Sequence, residues 1–545
     1  MIHLLDNLLE SPAVVRVLTD EPDWTSARPD GHSRWTTPHI AIKTERLERA
    51  LWIGVDVTPG VALRRVRLRW RLRPDPAARY LGDALERAYG DLAWRGLAPE
   101  RVMPWYVLAH QNGRTGGFGV ACGGAALATW QVDAEGVTLD LDCRSGGIGV
   151  CPGTRTLELA TVHIRAGGEK ESAMSSARAF CRLLCPNPRL PREPVYGGNN
   201  WYYAYGRSSQ RECLEDASRI SGWADSDNRP WMVIDDGWQA SRTWNYTGGP
   251  WLRGNEQFPD LMALAAGIRD RGAHPGLWYR PLLTDGMQPE HCFLKAPRPH
   301  GWVDHGRVLD PTVPEVREII RSDMARLVGW GFELIKHDFS TYDLLGYWGS
   351  GLGGSWIRDG WAFHDRTRTS AEIVSDFYQL LRSAAGDALL LGCNTIGHLA
   401  AGTHELQRTG DDTSGRDWER TRSMGVNTLA MRMPQHDAFF AVDADCVGLT
   451  AEVPWPLNRQ WLDVLARSGT PLFVSAAPDA MGPDQERAVR AAFACAAMPR
   501  PPSEPVDWMD TTCPVRWRHA DGETVYSWMA PEGAPVPGEL VTTVV

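Results

Sequence analysis

The chain has 545 residues, more than one compact domain usually holds, and its 43% hydrophobic fraction is enough for two or three cores. Its net charge of −10 argues against a nucleic-acid partner, and no apolar run approaches the roughly 20 residues that cross a bilayer. Residues 1–12 lack the pattern of a signal peptide, and the 11 cysteines are odd in number and without zinc-site spacing, so we expect a cytoplasmic protein with reduced thiols and no metal.

Two residue types stand out in the composition. The chain has 25 Trp, against 13 Tyr and 12 Phe. Tryptophan is common where sugar rings stack on aromatic faces, although we expect most of these side chains in the core. Lysine occurs at four positions, Lys43, Lys170, Lys295 and Lys336, and arginine takes the other basic positions. A lysine retained in an apolar segment of this chain is therefore a candidate functional residue.

Residues 1–190 are expected to form a β-sandwich. Apolar residues recur at every second position in segments such as Val66–Leu72, which is the pattern of a strand with one buried face. Glycine pairs at 116–117 and 146–147 mark turns between such segments. The proline-rich connector Pro186–Pro194 follows this region.

Residues 194–478 alternate between strand and helix patterns. The predicted strands cover residues 195–203, 231–235, 274–280, 332–338, 388–394, 405–410, 440–447 and 471–475. The predicted amphipathic helices between them include residues 210–223, 261–271, 316–330 and 371–384. Eight strands alternating with helices favour an α/β fold of the (β/α)8 TIM-barrel type. A doubly wound open sheet is the alternative, but no glycine-rich phosphate-binding loop opens the first helix.

Residues 479–545 are predicted to contain the last barrel helix, at 484–497, followed by a small C-terminal β-domain. In a TIM barrel the active site lies at the carboxyl ends of the strands. The polar residues that end the apolar strands are therefore the candidates for a functional site.

The second predicted strand ends in two adjacent carboxylates, Asp235 and Asp236, followed by Trp238. Carboxylates are strong acceptors for sugar hydroxyls, and a neighbouring tryptophan can stack on the ring. A helix cap and a turn residue are the alternative explanation of the two carboxylates. We predict that all three residues bind substrate.

The fourth predicted strand carries Lys336 and Asp338 two positions apart, so the two side chains share a face. If that face is the barrel interior, a buried lysine lies next to a buried carboxylate and keeps it ionised as a nucleophile. A structural ion pair in the barrel core is the alternative. We predict that Asp338 is the catalytic nucleophile and that Lys336 binds substrate.

The sixth predicted strand places Arg408 and Asp412 on one face, whereas Asp411 points the other way. Asp412 is therefore the better candidate for the general acid, with Arg408 beside it to orient the substrate or the carboxyl group. Asp411 suits a helix N-cap before a predicted helix at 418–424.

Two other strand ends carry candidate substrate-binding residues. The third strand contains Trp278, which is placed to form a sugar platform, and the fifth ends in Cys393 and Asn394, which are placed to contact a hydroxyl. Each of these residues taken alone is more often a core or capping residue.

At these positions the sequence resembles clan D glycoside hydrolases, the α-galactosidases of families 27 and 36. The resemblance rests on IDDGW at 234–238, PGLW at 275–278, KHDF at 336–339 and RTGDDT at 408–413, in that order along the predicted strands. The resemblance implies a retaining, exo-acting α-galactosidase with Asp338 as nucleophile and Asp412 as acid/base. It implies that neither cofactor nor metal is needed and that the substrate is an oligosaccharide or glycoside.

The chain departs from this family pattern at three places. Asn394 stands where family 27 has a Glu or Ser, at a position that helps to choose the substituent at sugar carbon 2. Arg280 and the segment Trp348–Asp365 lack clear counterparts. The mechanism is thus implied more firmly than galactose as the sugar.

Two other functions remain open from the sequence. One is an α-galactosyl transglycosylase, which resembles the raffinose-synthase-like relatives and uses the same two Asp residues. The other is a non-catalytic carbohydrate-binding barrel, although the presence of Asp338, Lys336, Arg408 and Asp412 together argues against it. A homo-oligomer is compatible with the sequence.

Overall fold

A computed structural model describes residues 2–241, 243, 247–295, 307–347 and 357–534. Up to residue 184 it contains two helices, α1 (Ile2–Asn7) and α2 (Ala173–Leu184), and two antiparallel sheets. The strands of these sheets are β1 (Val14–Thr19), β2 (Thr25–Ser26), β3 (Arg28–Pro29), β4 (Arg34–Thr36), β5 (Ile40–Arg46), β6 (Ala50–Val57), β7 (Leu63–Arg71), β8 (Arg79–Gly82), β9 (Met103–Pro104), β10 (Tyr106–Gln111), β11 (Arg114–Val120), β12 (Leu127–Asp133), β13 (Gly136–Asp142) and β14 (Leu157–Ala166). Their spatial orders are β2-β1-β7-β13-β12-β9 and β3-β4-β5-β6-β14-β11-β10-β8.

Strand β7 shows why these segments form sheets. Val66, Leu68 and Trp70 are buried on one face, as the alternation predicts, and the arginines between them point to the other face. Arg65 and Arg67 both pair there with Asp140 of the neighbouring strand β13. The buried faces of the two sheets meet, since Trp130 of β12 packs edge-on against Phe118 of β11 with ring centroids 5.1 Å apart.

The central part of the chain forms a nine-strand parallel sheet that is consistent with a TIM-like barrel. Its strands are β15 (Tyr196–Asn199), β16 (Trp231–Ile234), β17 (His274–Tyr279), β20 (Leu334–His337), β21 (Leu389–Gly392), β22 (Leu406–Arg408), β23 (Ala441–Asp443), β24 (Cys446–Leu449) and β25 (Leu472–Ala476). Between β17 and β20 lies a two-stranded ribbon, β18 (Leu283–Thr284) and β19 (Arg307–Val308). The spatial order is β23-β22-β21-β20-β17-β16-β15-β25-β24.

All eight predicted strands of this region are present, and the first six are shorter than the segments that predicted them. The seventh is divided, because β23 pairs with β22 while β24 pairs with β25, and Ala444 and Asp445 separate the two halves. The two ends of the sheet thus follow each other directly in the chain. A sheet that curls back on itself requires this connection.

Helices connect the parallel strands. They are α3 (Trp201–Ala204), α4 (Gln210–Trp223), α5 (Leu261–Asp270), α6 (Pro314–Gly329), α7 (Ser340–Leu345), α8 (Ser370–Ala385), α9 (Gly397–Ala400), α10 (Trp418–Arg420), α11 (Thr428–Arg432), α12 (Trp455–Ser468) and α13 (Pro483–Ala496). The predicted helices begin and end within two residues of α4, α5, α6, α8 and α13. Polar caps set several of these starts: Ser209 accepts the Glu212 N–H before α4, and Thr369 forms a capping box with Glu372 before α8.

The described chain ends in a three-stranded antiparallel sheet, β26 (Glu504–Pro505), β27 (Arg516–His519) and β28 (Gly522–Val525). It contacts the parallel part through Arg467 of α12, which pairs with Asp521 at 2.7 Å. In the portion of the chain that is described, none of the helices is both long and apolar enough to span a bilayer.

Candidate active site at the carboxyl ends of the parallel strands

Asp338 follows β20 and is held by three N–H donors. Its Oδ1 accepts the backbone N–H groups of Phe339 at 2.7 Å and Asn394 at 3.0 Å, and its Oδ2 accepts the Trp278 indole N–H at 3.1 Å. The backbone turns sharply after the carboxylate, since Phe339 has a φ of 61° before α7 begins. These donors fix the carboxylate at the carboxyl end of the sheet.

Lys336 is buried on the same strand, but its direct partner is not Asp338. Its Nζ lies 2.6 Å from Oδ2 of Asp235, which also accepts the side-chain N–H of Asn199 at 2.7 Å. Burial alone would lower the pKa of Lys336, but the charge of Asp235 outweighs it and raises the pKa well above the ordinary lysine value. The direct partner of Lys336 is thus Asp235, because the long lysine stem reaches across the sheet to the end of β16, and the charge of Asp338 also acts on Lys336.

Asp236, next to Asp235, is half-buried and accepts a hydrogen bond from the Gln239 amide at 2.6 Å. Burial raises the pKa of Asp236 to about 7, and the neighbouring Asp235 charge acts in the same direction. One carboxylate of the pair is thus neutralised by a lysine, whereas the other exchanges a proton near neutral pH.

Asp412 lies in the loop after β22, with its side chain 39% exposed. Arg408 Nη2 lies 3.1 Å from its Oδ1, and Arg87 Nη1 lies 3.5 Å from the same atom. Burial favours the neutral acid, but the charges of Arg408 and Arg87 outweigh it and hold the pKa of Asp412 well below the ordinary value. Both arginines also reach the Cys393 thiol, with N–S distances of 3.6 Å from Arg408 and 4.0 Å from Arg87.

Cys393 and the next residue, Asn394, lie between the two predicted catalytic carboxylates. Asp338 accepts the N–H of the next residue, Asn394, while Asp412 shares both of its arginines with the Cys393 thiol. The two Asp residues therefore flank the end of β21 from either side.

Arg87 belongs to a segment, residues 83–90, that sequence reasoning did not connect with the site. This segment docks on the loop after β22: Ala88 exchanges backbone hydrogen bonds with Thr409 at 2.8 Å and Asp411 at 3.0 Å. Arg432 anchors its start by donating to Asp83 at 2.7 Å. No local pattern marks these residues, because their partners lie several hundred positions away.

The same segment supplies Glu86, which accepts a hydrogen bond from the Asn394 amide and another from the Tyr89 hydroxyl. The side-chain oxygen of Asn394, Oδ1, accepts the Tyr342 N–H at 3.1 Å, and the Asn394 side chain is fully buried. Both ends of the amide are thus bound within the protein. Asn394 shapes the site and holds Asp338 through its backbone, and Cys393, also buried, has its thiol under two guanidinium groups.

Asp445, between β23 and β24, holds the residues around Asp412 in place. Its Oδ2 lies 2.9 Å from Arg408 and accepts the Thr413 N–H at 2.8 Å together with the Tyr202 hydroxyl. Asp445 has a φ of 75°, an uncommon conformation for a residue other than glycine. It holds both Arg408 and the residue after Asp412. The carboxylate that interrupts the seventh apolar strand was the sequence signal for this role.

The two predicted tryptophans take different places. Trp278 is almost fully buried and donates its indole N–H to Asp338, so it positions the carboxylate. Trp238 has no exposed surface, donates to the Trp278 carbonyl oxygen at 2.9 Å and packs against Trp251 and Trp330. Its ring faces are covered by the core, which leaves no face for a sugar.

Asp411 does not cap a helix. It forms ion pairs with Arg87 at 3.0 Å and Arg420 at 2.7 Å, and the N-cap of α10 is Asp417, which accepts the Glu419 N–H. Asp411 and Asp412 both lie in the loop after β22, beyond the strand whose alternation was used to separate them, and Arg87 pairs with both.

The two remaining departures from the family pattern have structural partners. Arg280 is buried, forms a two-pronged ion pair with Asp343 at 2.7 and 3.0 Å, and lies with its guanidinium carbon 4.1 Å from the Phe339 ring centroid. Of the segment at 348–365, residues 348–356 lie outside the described residues. Asp359 in its second half pairs with Arg144, which ties this loop to the antiparallel sheets.

Within the described ranges, no group of three or more His, Cys, Asp or Glu side chains is placed to hold a metal ion. The chemistry that this arrangement offers is that of carboxylates in two environments: Asp338, held by neutral N–H donors, and Asp412, held by two arginines.

Solved structures share this arrangement of strands. TtGalA, an alpha-galactosidase from Thermus thermophilus solved with p-nitrophenyl alpha-D-galactopyranoside, matches with a TM-score of 0.59 and 19% identity, over 89% of this chain and 99% of that one. The GH36 alpha-galactosidase AgaB from Geobacillus stearothermophilus matches with a TM-score of 0.58 and 14% identity, over 89% and 75%. The fold is that of GH36 alpha-galactosidases.

An alpha-galactosidase from Lactobacillus brevis matches similarly, with a TM-score of 0.57 and 14% identity, over 89% of this chain and 68% of that one. No protein-family model matches the chain. The resemblance drawn from the four motifs is thus confirmed at the level of the GH36 fold.

Proposed function

We propose that the protein is a retaining, exo-acting glycoside hydrolase that removes a terminal α-linked galactose or a related sugar. In this proposal residues 1–190 form a β-sandwich, 194–478 a closed catalytic (β/α)8 barrel, and 479–545 the last barrel helix with a small β-domain. The GH36 fold supports the proposal, as do the ligands of its solved examples, which include stachyose with TtGalA and raffinose with an AgaA variant.

The observation that carries the proposal is the contrast between the two carboxylates that flank the end of β21. Among the described side chains, Asp338 has N–H donors as its hydrogen-bond partners and no cation within ion-pair distance, so its charge remains available to an electrophilic carbon. Asp412 lies between two guanidinium groups and is partly exposed, as a group that exchanges protons with substrate and water must be.

In the first step Asp338 attacks the anomeric carbon, and Asp412 gives its proton to the oxygen of the departing group. The carbon–oxygen bond to the leaving group breaks and an ester between Asp338 and the sugar forms. In the second step Asp412 takes a proton from water, the water oxygen attacks the anomeric carbon, and the sugar leaves with its original configuration. Retention predicts a separation of about 5–5.5 Å between the two carboxyl groups.

The remaining residues are proposed to bind the sugar. Asp235 and Lys336 form a compact acceptor–donor pair for ring hydroxyls, and Asp236 beside them offers a second carboxyl group. Arg408 and Arg87 bring donors to the opposite side, next to Cys393. Trp278 and Asn394 act through Asp338, which they hold in place.

A panel of p-nitrophenyl α-glycosides tests the proposal with the wild-type protein. We expect release of p-nitrophenol from the α-galactoside or a close epimer, with the α-anomer of the free sugar formed first, as monitored by NMR. Asp338→Asn should abolish turnover with a small change in thermal unfolding, because the amide oxygen still accepts the backbone N–H groups of Phe339 and Asn394 and only the hydrogen bond from the Trp278 indole is lost. Activity of this variant close to wild type would remove Asp338 as the nucleophile, and an initial β-anomer would exclude retention.

A further inference from the structure

Two cysteine thiols from separate parts of the chain contact each other outside the candidate active site. Cys122 follows β11, and Cys185 is the C-cap of α2. The Cys122 N–H donates to the carbonyl oxygen of Leu184 at 2.9 Å, and the Cys122 thiol donates to Sγ of Cys185. Both cysteines are free thiols. A disulfide needs its two Cα atoms within about 7 Å of each other, and the backbone hydrogen bond beside the thiol contact brings the two chain segments this close.

The two thiols have different environments. Sγ of Cys185 accepts the Cys122 S–H and also the backbone N–H of Asn187, and both hydrogen bonds stabilise the thiolate and lower the pKa of Cys185. Burial raises the pKa of the Cys122 thiol, and its hydrogen bond to Cys185 acts in the same direction. Cys185 is therefore the thiol that loses its proton first, and Cys122 is the neighbour that keeps its proton.

The pair lies close to the protein surface. Cys122 is partly exposed and Gly123 after it is exposed, and the same holds for Pro186 and Asn187, which follow Cys185. Cys185 itself is 4% exposed. A reagent that reaches this thiol must therefore be small, which fits a peroxide better than a thiol group on another protein.

The pair also contacts the connection between β21 and β22. Cys122 Sγ lies 3.7 Å from Nδ1 of His398 in α9, and the His398 ring stacks on Trp105 with centroids 4.6 Å apart. This connection begins with Asn394, whose N–H holds Asp338. The two thiols thus lie where the antiparallel sheets meet the parallel sheet, and a bond between them would tie the end of β11 to the end of α2 at this junction.

We propose that Cys122 and Cys185 form a reversible thiol–disulfide site that is oxidised by hydrogen peroxide. In the first step Sγ of Cys185 attacks a peroxide oxygen; the S–O bond forms, the O–O bond breaks, and the thiol proton leaves with the second oxygen as water. In the second step Sγ of Cys122 attacks Sγ of Cys185; the S–S bond forms, the S–O bond breaks, and the Cys122 proton leaves with the hydroxyl group as water.

Together the two thiols lose two electrons, and one hydrogen peroxide becomes two molecules of water. A dithiol reductant returns both thiols by exchange. The disulfide would close a long loop between Cys122 and Cys185 and would restrict the unfolded chain, so the oxidised protein should be the more stable form. This site is independent of the proposed glycosidase activity.

The test treats the folded wild-type protein with hydrogen peroxide, alkylates the remaining thiols, digests the protein without reductant and analyses the peptides by mass spectrometry. We expect a peptide pair joined through Cys122 and Cys185, the loss of two alkylated thiols, and full recovery of both thiols with dithiothreitol. The midpoint of thermal unfolding should be a few degrees higher in the oxidised protein than in the reduced one.

Cys122→Ser tests the order of the two steps. Without its partner, Cys185 should stop at the sulfenic acid, which dimedone labels, and the joined peptides should be lost. Cys181→Ser is the matched control, because Cys181 lies one turn earlier on α2 and its thiol accepts a hydrogen bond from the Tyr106 hydroxyl. This variant should form the disulfide as the wild type does.

A wild-type protein that keeps both thiols under these conditions would overturn the proposal, and so would a disulfide between Cys185 and Cys181 in place of Cys122. The thermal unfolding of each reduced variant is compared with that of the reduced wild type, so that a lost disulfide is not mistaken for a misfolded protein. Dimedone labelling of Cys122 in Cys185→Ser at the rate seen for Cys185 in Cys122→Ser would refute the assigned order of attack.

Discussion

Arg87 Nη1 lies 3.5 Å from Asp412 Oδ1, although 325 positions separate the two residues in the chain. Arg87 is 4% exposed and also pairs with Asp411 at 3.0 Å. The N-terminal antiparallel part of the protein thereby places a positive charge beside the residue proposed to move protons. Together with Arg408, Arg87 lowers the pKa of Asp412, so the ionised carboxylate is favoured when no substrate is bound.

Replacing Arg87 should change the pH dependence of turnover. The charges that face Asp412 are those of Arg408, Arg87, Lys336 and Arg420, and they hold its pKa low. In Arg87→Met the pKa of Asp412 rises, so the acid form needed in the first step persists to higher pH and the basic limb of the kcat/KM profile moves upward. The profile is measured with raffinose, whose sugar leaving group needs the proton, over the range in which the protein stays folded.

Arg87→Lys is the matched control for this shift. It keeps a positive charge in the same place, so its profile should lie nearer to that of the wild type than the Met variant does. If activity fell in Arg87→Met but the basic limb of the profile stayed at the same pH, Arg87 would act through packing and not through its charge on Asp412.

Asp412→Ala should affect poor leaving groups most. Loss of a general acid costs roughly 10²- to 10⁴-fold for a sugar leaving group, whereas p-nitrophenolate departs with little help from a proton. We expect kcat/KM for raffinose to fall much further than kcat/KM for the nitrophenyl glycoside, and azide, which needs no base, to restore turnover of the latter.

Asp411→Ala serves as the comparison for Asp412, because it removes the adjacent carboxylate with its own ion pairs to Arg87 and Arg420. Its loss of activity should be smaller and similar for both substrates. If Asp411→Ala instead reproduced the dependence on leaving group, the acid/base assignment would move to that residue.

Lys336→Met should destabilise the fold as well as the site. The substitution leaves Asp235 buried without its ion-pair partner, which typically costs about 3–5 kcal/mol. Lys43→Met is the comparison. Lys43 lies outside the candidate site and forms an exposed ion pair with Asp56, which is worth about 0–1 kcal/mol. The midpoint of thermal unfolding is measured for both variants. Equally small shifts of the midpoint would contradict a buried ion pair between Lys336 and Asp235.

Asp236 should make stability depend on pH in a defined window. Its pKa is raised from 3.8 to about 7, first by burial, so the folded protein favours the protonated acid. Relative to Asp236→Asn, the wild type is therefore most stable below the ordinary Asp pKa, and this advantage disappears as pH rises through about 7. The difference between the two midpoints of unfolding is measured against pH, and a difference that grows with pH would refute the raised pKa.

Much of the parallel sheet and several of its helices could be predicted from the sequence because their signals are local. Apolar runs of four to eight residues and helical periodicity located every strand from β15 to β25 outside the ribbon β18–β19, and α4 within its observed bounds. The predicted seventh strand was continuous, whereas Ala444 and Asp445 divide the observed one, because the sequence shows the carboxylate of Asp445 but not its positive φ.

The sequence by itself determined which carboxylates stand at strand ends, since the apolar runs stop just before Asp338 and close to Asp412. Only the tertiary structure decided their partners. Lys336 could pair with any carboxylate within reach of its stem, and the fold brings it to Asp235, 101 positions away. Arg87 is invisible as a site residue because a hydrogen bond depends on distance in space, which the alternation of a single strand does not encode.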